Sequence, residues 1–182
     1  MACGLVLALG LVGLSTTTAV AATRGSAQHT RAHAKAVRYY RKEIRKYRRE
    51  TWYWQRVMGV RRSRAVARSL AGTSSLERLR HLRHVWRRRE HVAHRHALHP
   101  PHERGWLCIH RYEGSWTDAG APYYGGLQMD LGFQRTYGGW LLRTKGTADH
   151  WTPLEQIWTA VRAQRSRGFY PWPNTARVCG LL

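Results

Sequence analysis

The chain has 182 residues, room for one ordinary domain and something smaller, and carries a formal net charge of +21. That charge is unevenly placed: residues 24–104 hold 23 Lys/Arg against 5 Asp/Glu, whereas residues 105–182 hold 8 against 5 together with six of the nine Trp. A single evenly mixed domain is excluded, and the composition predicts a basic N-terminal half joined to a small Trp-rich core.

Residues 1–22 contain no charged side chain, run apolar from Gly4 to Leu14 and end in Ala19-Val20-Ala21, the small-residue spacing of a signal-peptidase site. The stretch reads as a secretory signal, with an uncleaved membrane anchor as the alternative. Cys3 would leave with it. Cys108 and Cys179 remain, an even pair in a chain bound for an oxidising space, expected to form a disulfide or else to stay as two separate buried thiols.

Val37, Tyr40, Ile44, Tyr47, Thr51, Trp54 and Met58 recur at spacings of three and four, one stripe of a basic helix. The pattern dissolves at Ala71-Gly72-Thr73-Ser74-Ser75. Gly72 is suited to end a helix there, and Ser74 with Glu77 to open the next through a capping box. A second helix is predicted from about Leu76 to Leu98, with a weaker seam through Leu79, Leu82 and Trp86, closed by Pro100-Pro101. The pair reads as an antiparallel hairpin, or as a coiled segment that pairs between chains.

Such a density of Arg with Tyr and Trp fits nucleic acid in a cytoplasmic protein. The signal-like start argues against that partner and towards anionic wall polymers or a membrane surface, held by long-range attraction; a solvated spacer is the plainer alternative. Seven of the eleven His lie between His81 and His102. No Cys and no clustered Asp accompany them, and the surrounding Arg would repel a dication, so no metal site and no cofactor is expected.

From Pro101 a helix is predicted whose apolar face carries Cys108, Ile109, Tyr112 and Trp116, with Glu113 at the margin and Gly114 releasing the chain. A carboxyl group in an aromatic setting is the kind of group that protonates a leaving glycosidic oxygen. Taken alone, a Glu at a helix end is more often a solvated surface charge.

The strings that follow are Glu113-Gly114-Ser115, Tyr124-Gly125-Gly126-Leu127-Gln128-Met129, Phe133 with Tyr137-Gly138-Gly139, Gln156-Ile157, Gly168-Phe169, Trp172-Pro173 and Cys179. Their order over about 75 residues resembles the resuscitation-promoting factor group of the lysozyme-like superfamily, secreted enzymes that cut the glycan of peptidoglycan. The resemblance implies a mainly α chain in which a lysozyme-like C-terminal domain (101–182) follows a signal peptide (1–22) and a basic helical hairpin or coiled segment (23–100). The signal peptide and the basic segment are read from the residues above, while the resemblance, which covers only the C-terminal part, implies Glu113 as general acid in a one-acid route, giving hydrolysis or an anhydro-sugar. It also implies Gln128 as a sugar hydrogen-bonding group, Tyr124 and Gly125 as the cleft floor, and Trp116 and Tyr137 as further substrate contacts. The partner implied is the MurNAc-GlcNAc strand of peptidoglycan, met outside the cell.

There are departures. The group's first Cys directly precedes its Glu, whereas Tyr112 stands there in this chain and Cys108 lies one turn earlier. The stretch from Glu113 to Tyr124 is short, and no residue clearly takes the place of a second carboxylate: Asp118 reads as a turn residue, and Asp130 either reaches the cleft or faces solvent. The competing reading is a non-catalytic wall-binding or adaptor protein that keeps the cleft.

Overall fold

The computed structural model describes residues 16–64 and 73–182. Most of the 1–22 stretch and the Gly72 helix stop therefore lie outside the described residues. The elements are α1 (Thr16–Val57), α2 (Leu76–Ala97), α3 (Glu103–Glu113), the strands β1 (Tyr123–Tyr124) and β2 (Met129–Asp130), α4 (Leu131–Lys145), a 3-10 turn (Ala148–His150), α5 (Pro153–Arg167) and α6 (Pro173–Val178). The chain is thus mainly helical. No helix among the described residues is long and apolar enough to cross a membrane.

The predicted stripe is the inner face of α1. Val37, Ile44, Thr51 and Met58 are buried, and Tyr40, Tyr47 and Trp54 are half-buried. The helix ends earlier than the polar break at 71–75 suggests. Gly59, at φ 67°, takes the left-handed position, and the amides of Gly59 and Val60 return to the carbonyls of Arg56 and Gln55 at 3.1 and 2.9 Å. That closes the last turn as a Schellman motif. The chain then doubles back: Ser63 lies against Gln55 through two hydrogen bonds of 2.6 and 2.8 Å, and its carbonyl accepts from the Trp52 indole.

This reversal corrects the expected antiparallel hairpin. Arg41 donates to the carbonyl of Thr73, Arg80 to the Tyr40 hydroxyl, Arg83 stands 3.8 Å from Glu43, and Trp54 stacks on His94 at 4.6 Å. Partner numbers rise together, so α1 and α2 run parallel. Fifteen residues, 58–72, reach about 50 Å if extended, whereas the way back from Val57 to Arg41 is only about 24 Å of helix. The connection is ample for a parallel return, which a short turn at 71–75 would not be. Ser75, one residue later than predicted, caps α2 by accepting from Arg78 N, while Leu79, Leu82 and Trp86 are buried as the seam requires.

The C-terminal core gathers around α5, in which every residue from Glu155 to Val161 is buried. Trp106 and Ile109 of α3, Leu127, Met129, Leu141, Trp151, Phe169, Trp172 and Ala176 complete it. The same core takes in Val57 and Met58 at the end of α1, and Ala93 and Ala97 at the end of α2. It crosses the boundary expected at 100/101, so the basic half and the Trp-rich half are packed into each other.

Two side chains of α5 also finish the helix pair. The Trp158 indole donates to the carbonyl of Ala97 at 2.8 Å, and Arg162 donates to those of Val57 and Tyr137. The carbonyls of Ala97 and Val57 are orphans that a helix end must otherwise give to water, and that of Tyr137 precedes the kink at Gly138 inside α4. Burial, then the nearby Arg165, pushes the Arg162 guanidinium down to about 10.

Glu155 is fully buried at the start of α5. It accepts from the amide and hydroxyl of Thr152, from Lys145 at 2.8 Å and from the Tyr53 hydroxyl of α1 at 2.8 Å. Burial works against its charge, but the bonds from Lys145, Thr152 and Tyr53 outweigh it and hold the carboxyl below its ordinary range. Burial first, and then the bond to Glu155, push the Tyr53 phenol well above its usual range.

Candidate active site

Glu113 is the last residue of α3 and is half-buried. The inward stripe of this helix is Trp106, Ile109 and Glu113, at spacings of three and four, with the first two fully buried. Tyr112, expected on that face, is instead 57% exposed. The helix begins at Glu103, with His102 before it, so Pro101 lies outside it.

The C-terminal α6 lies beside α3. Cys108 and Cys179 stand at disulfide distance, with Sγ atoms 2.05 Å and Cα atoms 5.9 Å apart. One turn before Cys179, the hydroxyl of Thr175 donates to Oε1 of Glu113 at 2.7 Å. The closest polar partner of the carboxylate is therefore a hydroxyl brought from the far end of the chain. Nothing in the local sequence marks Thr175.

Past Gly114, at φ 151°, the chain turns under Asp118 and Gln128: a Cβ on Gly114 would come within 3.3 Å of both side chains. Asp118 does make the local turn bond expected of it, from Gly120 N to Oδ1 at 3.0 Å. Its other oxygen accepts from Gln128 Nε2 at 2.7 Å, and its carbonyl accepts from Gly125 N. Gln128 Nε2 also donates to the Gly125 carbonyl at 3.1 Å. Both amide hydrogens are then used, which leaves Oε1 as the free end of the side chain. Gln128 holds this pose at φ 46°, in the left-handed region.

The turn that presents Gln128 is fixed from behind by Gln156. Its Oε1 accepts from Gly126 N at 2.9 Å, and its Nε2 lies 2.8, 2.9 and 3.1 Å from the carbonyls of Trp116, Ala148 and Trp151. A Cβ on Gly125 would meet Gln156 Oε1 at 2.5 Å, and one on Gly126 would meet His110 Nδ1 at 2.5 Å. The close approach expected at Gly125 is real, but it serves the scaffold and not the floor of a cleft.

Several expected contacts are relocated in the same way. Trp116 is half-buried and stacks on His110 at 3.9 Å, behind the turn. Tyr124 pairs with Met129 and packs on the core, while Tyr123, its neighbour on the other side of the strand, is 49% exposed. Strand side chains alternate, so the outward Tyr is 123. Tyr137 rests on Phe133 at 4.9 Å, and its carbonyl accepts from Arg162.

A pocket of about 210 Å³ opens beside Gln128, with Tyr123, Phe133 and Trp172 as aromatic walls and Asp130 and Arg167 at its polar edge. Glu113, Trp116, Tyr124 and Tyr137 do not line it. A larger groove, about 600 Å³, runs along α2 between Met58, Val60, Val85 and Val92 and has no carboxylate in its lining. Among the described residues no group of three His, Cys, Asp or Glu is arranged to hold a metal ion. His94, from the His-rich stretch, is instead packed on Trp54.

Neither a protein-family model nor a curated protein matches the chain.

Proposed function

We propose that this chain is a secreted enzyme that cleaves the MurNAc-GlcNAc glycan of peptidoglycan, with Glu113 as the general acid. The observation that carries the reading is the placement of Glu113: a half-buried carboxylate at the open end of α3, oriented by Thr175, with the Asp118–Gln128 pair across Gly114. A general acid needs a fixed carboxyl within reach of the leaving oxygen, and a sugar needs oriented polar groups beside aromatic walls. Gln128, Tyr123, Phe133 and Trp172 supply the second requirement.

Asp118 is not the missing second carboxylate. Its two oxygens are engaged by Gln128 and by Gly120 N, which makes it the residue that aims Gln128. In the one-acid route Glu113 gives its proton to the glycosidic oxygen as the bond to the anomeric carbon breaks. The positive charge that develops on the sugar ring is quenched by water or by the sugar's own hydroxyl, and that second step returns a proton to Glu113.

The basic helix pair is the surface that brings the enzyme to its insoluble substrate, through anionic wall polymers or lipid head groups. The test is incubation of purified residues 23–182, wild type and Glu113→Gln, with peptidoglycan, and mass spectrometry of the released fragments. Muropeptides released by the wild type alone are expected. Release by neither protein overturns the enzyme reading, and equal release by both overturns the role of Glu113.

A further inference from the structure

The pocket beside Gln128 is lined by two charged groups that the cleavage reading leaves unused, Arg167 and Asp130. Arg167 is the last residue of α5, is exposed, and lines the pocket without a hydrogen bond or ion pair among the described residues. Asp130 lines the same pocket, yet no ion pair joins the two. One oxygen of Asp130 is committed to the N-terminus of α4, accepting from Phe133 N at 2.7 Å. The guanidinium fork is thus free beside aromatic walls. On the same pocket Gln128 offers an acceptor, because both hydrogens of its amide are already given to Asp118 and Gly125.

We infer that this pocket is a subsite for a carboxylate-bearing sugar unit of the substrate, and that Arg167 is the residue that reads the carboxylate. The inference rests on the glycan-cleavage reading. One sugar ring stacks on the aromatic walls and gives a hydroxyl hydrogen to Gln128 Oε1, while Arg167 takes a planar anion in two parallel hydrogen bonds. Two sources in a peptidoglycan strand carry that anion: the lactyl group of a peptide-free muramic sugar, and an acid group of the stem peptide. An unsubstituted neutral glycan fills the aromatic part and leaves the guanidinium in water.

The experiment is calorimetric titration of the full mature chain with two pairs of soluble glycans. One pair is peptide-free muramyl glycan with its lactyl carboxylates free or converted to methylamides. The other is peptide-bearing glycan with its stem carboxylates free or amidated. The wild type is expected to bind the acid member of one pair roughly five- to tenfold more tightly than its neutral twin, as suits a partly exposed charge-assisted pair. The pair that shows the preference names the source. Arg167→Gln removes the preference, Arg167→Lys keeps part of it, and Arg165→Gln keeps all of it, because Arg165 shares the last turn of α5 but not the pocket.

Melting curves check that each variant folds, as an exposed side chain without partners should allow. A preference that survives Arg167→Gln, one that Arg165→Gln abolishes equally, or no preference in either pair overturns the subsite. Cleavage is followed in parallel. Fragments released without any carboxylate preference sink the subsite alone, and a preference tied to Arg167 without cleavage sinks the enzyme reading alone.

Discussion

Thr175 and Glu113 stand 62 residues apart in the chain and 2.7 Å apart in space, hydroxyl to carboxylate. The sulfurs of Cys108, on α3, and Cys179, the residue that caps α6, meet about one turn away. The position of the Glu113 carboxylate is therefore set by the packing of α6 on α3. Glu113→Gln is expected to abolish cleavage with little change in melting temperature, since the amide keeps the shape and loses the proton. Thr175→Val removes the hydrogen bond that orients the Glu113 carboxyl, worth on the order of a tenfold loss in turnover. Steady-state rates on a soluble glycan check both, and a Gln variant with substantial turnover sinks the assignment of the acid.

Asp118→Asn should act through Gln128. An Asn at 118 can present either end of its amide, so the amide of Gln128 is no longer forced into one orientation. The expected result is a several-fold rise in KM with a smaller change in kcat. Equal losses in both parameters would argue that Asp118 touches the reacting sugar itself.

Loss of the cross-link between α3 and α6 is expected to show in stability and in rate together. Closing a loop of this length is worth about 4 kcal/mol in the chain-entropy account. Cys108→Ser with Cys179→Ser should lower the melting temperature by several degrees or more and reduce turnover as α6 frays. Mass measurement before and after reduction gives the oxidation state directly, and two free thiols in the native protein would refute the pairing.

Glu155 gives a pH signature. Its folded carboxyl is held below the ordinary range, so the stability it contributes is complete above the unfolded value and is lost as the pH falls through the folded one. Glu155→Gln is expected to cost about 2 kcal/mol at pH 7. Urea unfolding of wild type and variant should converge as the medium is acidified below the carboxylate range. A constant gap across pH would mean that the loss is one of packing.

Attraction between exposed charges reaches only about 10 Å at 0.1 M ionic strength. Binding of the full chain to whole wall material should therefore weaken steeply with salt, while cleavage of a short neutral glycan changes little. Residues 101–182 alone should not behave as the intact domain, because Trp158, Val161 and their neighbours lose the cover of Val57, Met58, Ala93 and Ala97. Each exposed side chain of that size costs roughly 1.5–3 kcal/mol. A sharp, cooperative melt for the fragment would contradict the shared core.

The faces of the helices were legible in the sequence, and their directions were not. Period alone marks Val37, Ile44 and Thr51 as one stripe and Leu79, Leu82 and Trp86 as its counterpart, but a stripe reads the same for parallel and antiparallel partners. Gly59 was the missing punctuation: it follows Met58, the last seam residue, yet the Arg-rich run beyond it resembles more helix. At the site, Tyr112 and Glu113 differ by 100° on α3, and only the presence of Trp106 decides which of them faces inward. Tyr123 and Tyr124 pose the same choice on a strand. Thr175 and Arg167 left no trace because their roles depend on segments that meet only after folding.

Parallel helices whose ends are both finished by α5 place an unusual constraint on length. One residue added to α1 or α2 would turn everything beyond it by about 100° and advance it by about 1.5 Å, pulling Val57 away from Arg162 or Ala97 away from Trp158. Seven residues added to both, at matched seam positions, would preserve the two faces and the two ends alike. The connection from 58 to 72 has chain enough to span the extra 10 Å or so. Insertions and deletions in this region should therefore be tolerated in heptad steps and in tandem, so that the helix pair can change in reach while the end packed on α5 keeps its form.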